Sequence, residues 1–157
     1  MNKKICVVGA GFWGRNHIKT LNKISALSGI VDLDDNLLNT FKKVYSGTRI
    51  HKDINEAIAE DYDGFVIATP AKTHYKIAKL IIESGKPVLI EKPMALSLKE
   101  ADVLVELAEK YNVNVLVGHV LLFHPAILKI ENMIQKGLVG NLQYIYSNRL
   151  NLGKVRT

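Results

Sequence analysis

Short apolar runs alternate with longer amphipathic stretches along the first 118 residues of the chain. Short runs rich in Val and Ile are typical of buried strands, and apolar residues at helical spacing are typical of surface helices. The pattern predicts strands over residues 5–8, 27–31, 49–51, 63–68, 87–90 and 113–118, and helices over 15–21, 34–45, 54–59, 73–84 and 97–111. Because neighbouring parallel strands need a helical crossover, this alternation predicts an α/β fold with a doubly wound parallel sheet.

The pattern changes after Gly118. Residues 124–136 predict one more helix, and residues 142–150 alternate apolar and polar positions, which is typical of a half-exposed antiparallel strand. We therefore expect one domain over residues 1–119 and, over residues 120–157, the beginning of a truncated α+β second domain. The alternative for the last strand is pairing with an edge of the first sheet or with another copy of the chain.

A glycine-rich turn over residues 9–14, Gly-Ala-Gly-Phe-Trp-Gly, joins the first predicted strand to the first predicted helix. In dinucleotide-binding turns the first glycine, here Gly9, makes the tight turn. Gly11 would let a pyrophosphate approach the backbone, and Gly14 would let helix and strand pack closely. We expect the intervening Phe12 and Trp13 to contact the cofactor as well. An ordinary strand–helix loop is the alternative for an isolated glycine motif, whereas the flanking strand and helix favour a dinucleotide site.

Asp32 strengthens this interpretation, because it ends the second predicted strand 18 positions after Gly14. A carboxylate at this place accepts hydrogen bonds from the adenosine ribose hydroxyls. The same carboxylate would repel a 2′-phosphate, and the next residue, Leu33, offers no positive partner for one. The sequence therefore predicts that the cofactor is NAD and not NADP.

Charge and composition exclude several classes of function. The net charge is +6, but no Lys/Arg run is longer than two residues, so the basic patch of a nucleic-acid-binding protein is missing. A solvated surface or an anionic small substrate explains the excess equally well. Cys6 is the single cysteine and cannot form an internal disulfide, which predicts a reducing, cytoplasmic location. We expect no metal site, no signal peptide and no membrane span.

Further polar groups follow the ends of other predicted strands, where ligands bind to open parallel sheets. They are residues 68–70 (Ala-Thr-Pro), residues 91–93 (Glu-Lys-Pro) and His119. A lysine buried beside a nicotinamide would have a lowered pKa and could exchange a proton with a substrate hydroxyl. The chemistry alone leaves open the commoner alternative, in which Lys92 is a solvated loop lysine.

Three motifs together resemble the glucose-fructose oxidoreductase/inositol dehydrogenase/MocA family. They are residues 9–14, the Ile67-Ala68-Thr69-Pro70 segment with His74 four residues later, and residues 88–93, Val-Leu-Ile-Glu-Lys-Pro. The resemblance implies a Rossmann domain in which Lys92 is catalytic. It also implies that Thr69 and Pro70 line the nicotinamide cofactor, and that Glu91 lies beside the cofactor and helps fix the lysine. We expect Ala68, in the same turn, to contact the cofactor as well. A structural ion pair is an equal alternative for Glu91, and a helix-start role is the alternative to cofactor contact for His74.

Residues 117–125 and 147–154 look like the branch of this family that acts on nucleotide-linked amino sugars at C3. Lys92, Arg149, Lys154 and Arg156 are the candidate substrate-binding residues, the arginines and Lys154 for a diphosphate. Surface charge explains those three equally well. Leu122 stands where related sequences often carry arginine, which leaves the exact sugar open. The family's later Asp and His motif would lie beyond Thr157.

The sequence thus predicts the cofactor-binding portion of an NAD-dependent sugar dehydrogenase acting on C3 of a UDP-linked N-acetylamino sugar. A non-catalytic NAD-binding regulatory module is the alternative. We expect the 157-residue chain to bind cofactor but to turn over no sugar, because it lacks a closed substrate pocket. We also expect the longer protein to be a homo-oligomer.

Overall fold

The computed structural model describes residues 3–148 and residue 150. The chain divides into two compact units, residues 1–119 and 120–157. In the described part of the first unit, strands and helices alternate along the chain. The elements are β1 (Ile5–Val8), α1 (Phe12–Lys23), β2 (Leu27–Val31), α2 (Asp35–Val44), β3 (Arg49–His51), α3 (Ile54–Ile58), β4 (Gly64–Ile67), α4 (Ala71–Glu83), β5 (Val88–Ile90), α5 (Leu98–Tyr111) and β6 (Val115–Val117).

The six strands form one parallel sheet in the order β3-β2-β1-β4-β5-β6. The order reverses on either side of β1, which is the doubly wound arrangement that the sequence predicts. Val8 of β1 pairs with Val31 of β2 and with Ile67 of β4. The last residues of all six strands therefore lie in one row, and the segments that follow them lie together along the edge of the sheet formed by the carboxyl ends of the strands.

Alternation along β1 divides the core between the two faces of the sheet. Cys6 and Val8 pack in the cluster covered by α3, α4 and α5, with Ile81 and Leu104 fully buried. Val7 points to the opposite face, in the cluster covered by α1 and α2. Both faces are covered by helices, so the strands are buried on both sides as expected for a parallel sheet.

Side-chain caps begin three of the helices of this unit. Asp34 accepts hydrogen bonds from the backbone N–H groups of Asn36 and Leu37 at α2. Asp53 caps α3, and Ser97 caps α5. These caps confirm the predicted helix starts, whereas α4 begins at Ala71, two residues before its predicted start.

The second unit contains a 3₁₀ turn over Val120–Phe123, followed by α6 (Pro125–Gln135). The imidazole of His124 accepts a hydrogen bond from the N–H of Ala126 and caps α6 where the sequence predicts a helix. The strand predicted over residues 142–150 is absent from residues 142–148 and 150. A strand requires a hydrogen-bonded neighbour, and within the described residues no segment pairs with this one. No described helix has the length and apolar content needed to cross a bilayer.

Candidate active site

The row of aligned strand ends positions the candidate site. The residues that directly follow the strands are Gly9, Lys52, Glu91 and Gly118, together with Asp32 and Ala68. Sequence reasoning found most of these positions but missed Lys52, although the same strand-end argument applies to β3. A cleft of about 560 Å³ opens at this edge. It is lined by Val8, Gly9, Gly11, Val31, Asp32, Leu33, Lys52, Asp53, Ile54, Ala68, Thr69, Pro70, Lys72, Thr73 and Ile77.

The three glycines of the turn differ in what a side chain at their position would contact. Gly9 has a φ of +92°, and a Cβ there would lie 2.8 Å from the Cγ2 and N atoms of Thr69. A Cβ at Gly14 would overlap the carbonyl oxygen of Gly9. In contrast, a Cβ at Gly11 would meet nothing within 4 Å. Packing therefore requires glycine at positions 9 and 14, whereas the space at Gly11 opens into the cleft.

Two helices at the cleft begin without the side-chain caps that the other helices of this unit have. Gly11 precedes α1 and Pro70 precedes α4, and neither side chain can accept from the first-turn N–H groups. Uncapped N–H groups and the positive end of the helix dipole attract anions. The cleft is therefore equipped to receive the phosphates of a nucleotide at α1, next to the space at Gly11.

The carboxylate of Asp32 is held in the cleft by backbone groups. Its Oδ2 accepts from the N–H of Ala10 at 2.7 Å, and its Oδ1 accepts from the N–H of Asp34 at 3.0 Å. An ionised carboxylate has about four lone-pair sites, so two acceptor sites remain for ligand hydroxyls. Asp32 is thus oriented in advance for a ribose.

Glu91 directly follows β5 and is anchored by two neighbouring elements. Its side chain is only 9% exposed, and its Oε1 lies 2.8 Å from Nε2 of His17 on α1. A Cβ at Gly118 would lie 3.1 Å from Glu91 Oε2, so the carboxylate packs directly on that glycine. These contacts support the structural alternative for Glu91. His17 was missed by the sequence reading, although it lies one helical turn after Trp13.

Lys92 points away from the protein interior, next to Trp13. Its Nζ lies 5.4 Å from the centroid of the indole ring, within the range of a cation–π interaction. The side chain is exposed, which agrees with the solvated alternative that the chemistry of the sequence left open and not with burial. The reason is geometric, because the neighbouring Glu91 turns inward and Lys92 therefore turns outward.

His74 is a fully buried link between two loops of the site. Its Nε2 lies 2.8 Å from the carbonyl oxygen of Thr69, and its Nδ1 lies 2.8 Å from the carbonyl oxygen of Pro93. Both ring nitrogens therefore have partners in the protein, which supports the structural alternative for His74. Near it, Oγ1 of Thr73 donates to the carbonyl of Pro70 and lies 2.8 Å from Oγ1 of Thr69.

The structure does not bring every predicted residue into the cleft. His119 and Phe12 are exposed, and neither lines the cleft. The ring of Phe12 makes an edge-on contact with Trp13 at 6.1 Å. Arg149, Lys154 and Arg156, the predicted substrate-binding residues other than Lys92, lie outside the described residues.

Comparison with known proteins agrees with this geometry. Residues 3–119 match the Gfo/Idh/MocA family, described as an oxidoreductase family with an NAD-binding Rossmann fold. The chain is 32% identical over 152 residues to UDP-N-acetylglucosamine 3-dehydrogenase of Acidithiobacillus ferrooxidans, which covers 96% of this chain and 46% of that enzyme. It is 29% identical over 143 residues to the rhizopine catabolism protein MocA of Rhizobium meliloti, covering 90% of this chain and 45% of that protein.

A solved structure shares the fold. GenD2 from gentamicin A biosynthesis, crystallised in complex with NAD, matches with a TM-score of 0.81 and 29% identity, over 87% of this chain and 40% of that chain. The chain spans about half the length of the curated relatives it matches. From the match over residues 3–119 and the parallel sheet with its glycine turn, we conclude that the chain belongs to the Gfo/Idh/MocA oxidoreductase family and that its first unit is the NAD-binding Rossmann domain.

Proposed function

We propose that this chain is the cofactor-binding part of an NAD-dependent sugar dehydrogenase in which Lys92 is the catalytic residue. The observation that carries the proposal is the position of Lys92. It follows β5 on the same sheet edge as the glycine turn and Asp32, and its ammonium group is exposed next to the turn. A lysine required only for surface charge would not need to lie at the edge where the cofactor binds.

The described residues fit NAD along the whole cleft. The uncapped start of α1 and the open space at Gly11 suit the pyrophosphate, and Asp32 suits the adenosine ribose. We assign Thr69 and Pro70 to the nicotinamide half, where the second uncapped helix begins. When bound, NAD supplies the hydride acceptor at its nicotinamide ring.

The role of Lys92 is proton transfer at its Nζ atom. In the oxidation direction, Nζ would accept the proton of the substrate hydroxyl while the carbon that bears this hydroxyl gives up hydride. In reduction, the ammonium group returns a proton to the carbonyl oxygen. The exposure of Lys92 leaves its amine accessible to a substrate, and the anchored Glu91 fixes the backbone from which it extends.

We further propose a UDP-linked N-acetylamino sugar, oxidised at C3, as the substrate. The support is the resemblance of residues 117–125 and 147–154 to that branch, together with the relative that is a UDP-N-acetylglucosamine 3-dehydrogenase. Arg149, Lys154 and Arg156 would bind the diphosphate, and residues 120–157 would begin the substrate-binding domain. A cytoplasmic homo-oligomer is part of the same proposal.

The test uses a longer chain that includes the substrate-binding domain. NAD reduction is followed at the nicotinamide absorbance band with UDP-N-acetylglucosamine and, as a rival substrate, inositol. We expect turnover of the UDP-sugar, and a loss of about 10²–10⁴-fold in kcat in the Lys92→Met variant. Lys110→Met is the matched control, because this exposed lysine also contacts an aromatic ring, that of Tyr111.

Two results would contradict the proposal. NADH binding without reduction of NAD by any sugar would favour the non-catalytic module, and full turnover in Lys92→Met would remove Lys92 from the chemistry. We expect the 157-residue chain itself to bind NADH but to reduce no NAD. Substrate positioning is worth up to about 7–11 kcal/mol of the reaction barrier, and residues 120–148 and 150, the described part of the second unit, form no sheet that could close a substrate pocket.

A further inference from the structure

Helix α1 contacts two consecutive residues of the Glu-Lys-Pro segment. Trp13 and His17 are four residues apart on α1, so they lie on the same face of the helix. His17 is paired with Glu91 at 2.8 Å, and the ring of Trp13 lies 5.4 Å from Nζ of Lys92. The helix that begins at the glycine turn therefore contacts both the Glu91 carboxylate and the Lys92 ammonium group.

The two contacts restrain different parts of the segment. Glu91 is 7% exposed and fixed by His17, which places the Cα atom of Lys92. The side chain of Lys92 is exposed and has four flexible carbons, so the Glu91 contact leaves its ammonium free to rotate. A cation–π contact at an exposed site favours the docked position by about two- to fivefold. Trp13 supplies the restraint that the side chain otherwise lacks.

We propose that Trp13 is a positioning residue for Lys92. Its indole ring holds the lysine ammonium at the start of α1, so the element that binds the cofactor phosphates also places the proton-transfer group. The functional meaning of this placement rests on the proposed role of Lys92. The contact itself is a property of the 157-residue chain and can be measured without substrate.

The test uses the chain labelled with ¹³C-lysine and observed by NMR. A ring over the ammonium shifts the Hε protons of Lys92 upfield of those of the other exposed lysines, and we expect this shift in the wild type. We expect Trp13→Leu to abolish it and Trp13→Phe to retain most of it, because phenylalanine keeps an aromatic face. Thermal unfolding of both variants confirms that they fold, which is expected because Trp13 is 42% exposed.

Fluorescence gives an independent readout, because Trp13 is the only tryptophan in the chain. We expect Lys92→Met to change its emission, and the Lys110→Met control to leave the emission unchanged. A wild-type Lys92 shift equal to that of the other exposed lysines, or one that Trp13→Leu leaves in place, would overturn the proposal.

Calorimetry with NADH separates this inference from the proposed function. Absence of NADH binding with the Lys92 shift intact would overturn the function and support the contact. Binding of NADH without the shift would overturn the contact and support the cofactor site.

Discussion

Replacing Asp32 by serine tests the cofactor specificity of the cleft. Two of the carboxylate's acceptor sites are occupied by the N–H groups of Ala10 and Asp34, which leaves two for the 2′- and 3′-hydroxyls of a ribose. Hydrogen bonds to a charged group contribute about 1.5–3 kcal/mol. We therefore expect Asp32→Ser to raise the Kd for NADH by roughly 10- to 150-fold.

The same substitution has the opposite effect on NADPH. Two unit charges about 4 Å apart repel by about 1 kcal/mol in water and about 4 kcal/mol near a protein surface. Asp32 is half-buried, so its carboxylate opposes a 2′-phosphate by an amount between these limits, roughly 5- to 800-fold in Kd. We expect the wild type to prefer NADH, and Asp32→Ser to lower the ratio of the two affinities by at least about tenfold.

Calorimetry with NADH and NADPH at one salt concentration measures both affinities. Asp61→Ser is the matched control, because this exposed carboxylate pairs with Lys4 at the opposite edge of the sheet. Thermal unfolding shows whether either variant loses structure. Equal or tighter NADPH binding by the wild type would refute the reasoning and remove Asp32 from the ribose site.

The structure supports three further predictions. Gly11→Ala should weaken NADH binding in calorimetry with little change in unfolding temperature, because its Cβ enters open space. Gly14→Ala should lower the unfolding temperature, because its Cβ overlaps a backbone carbonyl. A larger drop in unfolding temperature for Gly11→Ala than for Gly14→Ala would contradict this expectation. Lys52 lines the cleft, and its Nζ lies 2.6 Å from Oδ2 of Asp35, which neutralises its charge. Asp35→Asn removes that negative charge and should therefore strengthen NADPH binding several-fold. Unchanged NADPH binding would place Lys52 away from the 2′-phosphate of the cofactor. Burial lowers the pKa of His51 from its usual value near 6.5, so the unfolded chain binds a proton more readily than the folded chain, and the free energy of unfolding should fall as pH decreases below 6.5. Urea unfolding at pH 7.5 and pH 5 should show that His51→Gln loses less stability between these two pH values than the wild type does. An equal loss in both proteins would assign the effect to other groups.

The sequence predicted the fold well because two independent patterns agree in the first unit. The strand and helix periods alternate, and the capping residues Asp34, Asp53 and Ser97 mark the helix starts. Boundaries were less exact where no polar cap exists. At α4 the helix follows Pro70, whose fixed φ suits a helix start, and the sequence pattern placed the start two residues late.

The sequence predicted those residues of the site that follow the ends of predicted strands. Asp32 and Lys92 directly follow their strands or nearly so, and the parallel register then brings them to one edge. Contacts between helices and loops leave no comparable pattern in the sequence. The pairing of His17 with Glu91 joins residues 74 positions apart, and the two carbonyl partners of His74 depend on how two loops pack.

The sequence pattern does not predict the direction of side chains in the loops. It left open whether Lys92 is buried or solvated, and inward placement of Glu91 leaves Lys92 exposed beside Trp13. The strand expected over residues 142–150 followed from alternation alone, and alternation does not provide a hydrogen-bonded neighbour. Periodicity therefore predicts local structure well and predicts tertiary partners poorly.

Titration of the ¹⁵N-labelled 157-residue chain with NADH is the most direct test that the aligned strand ends form a cofactor site. We predict saturable one-to-one binding, with amide shifts concentrated at Gly11, Asp32, Thr69 and Lys92, which lie in the segments after β1, β2, β4 and β5. Residues 61–63 at the opposite edge of the sheet should not shift. Shifts centred on residues 61–63, or no saturable change at any amide, would contradict the account.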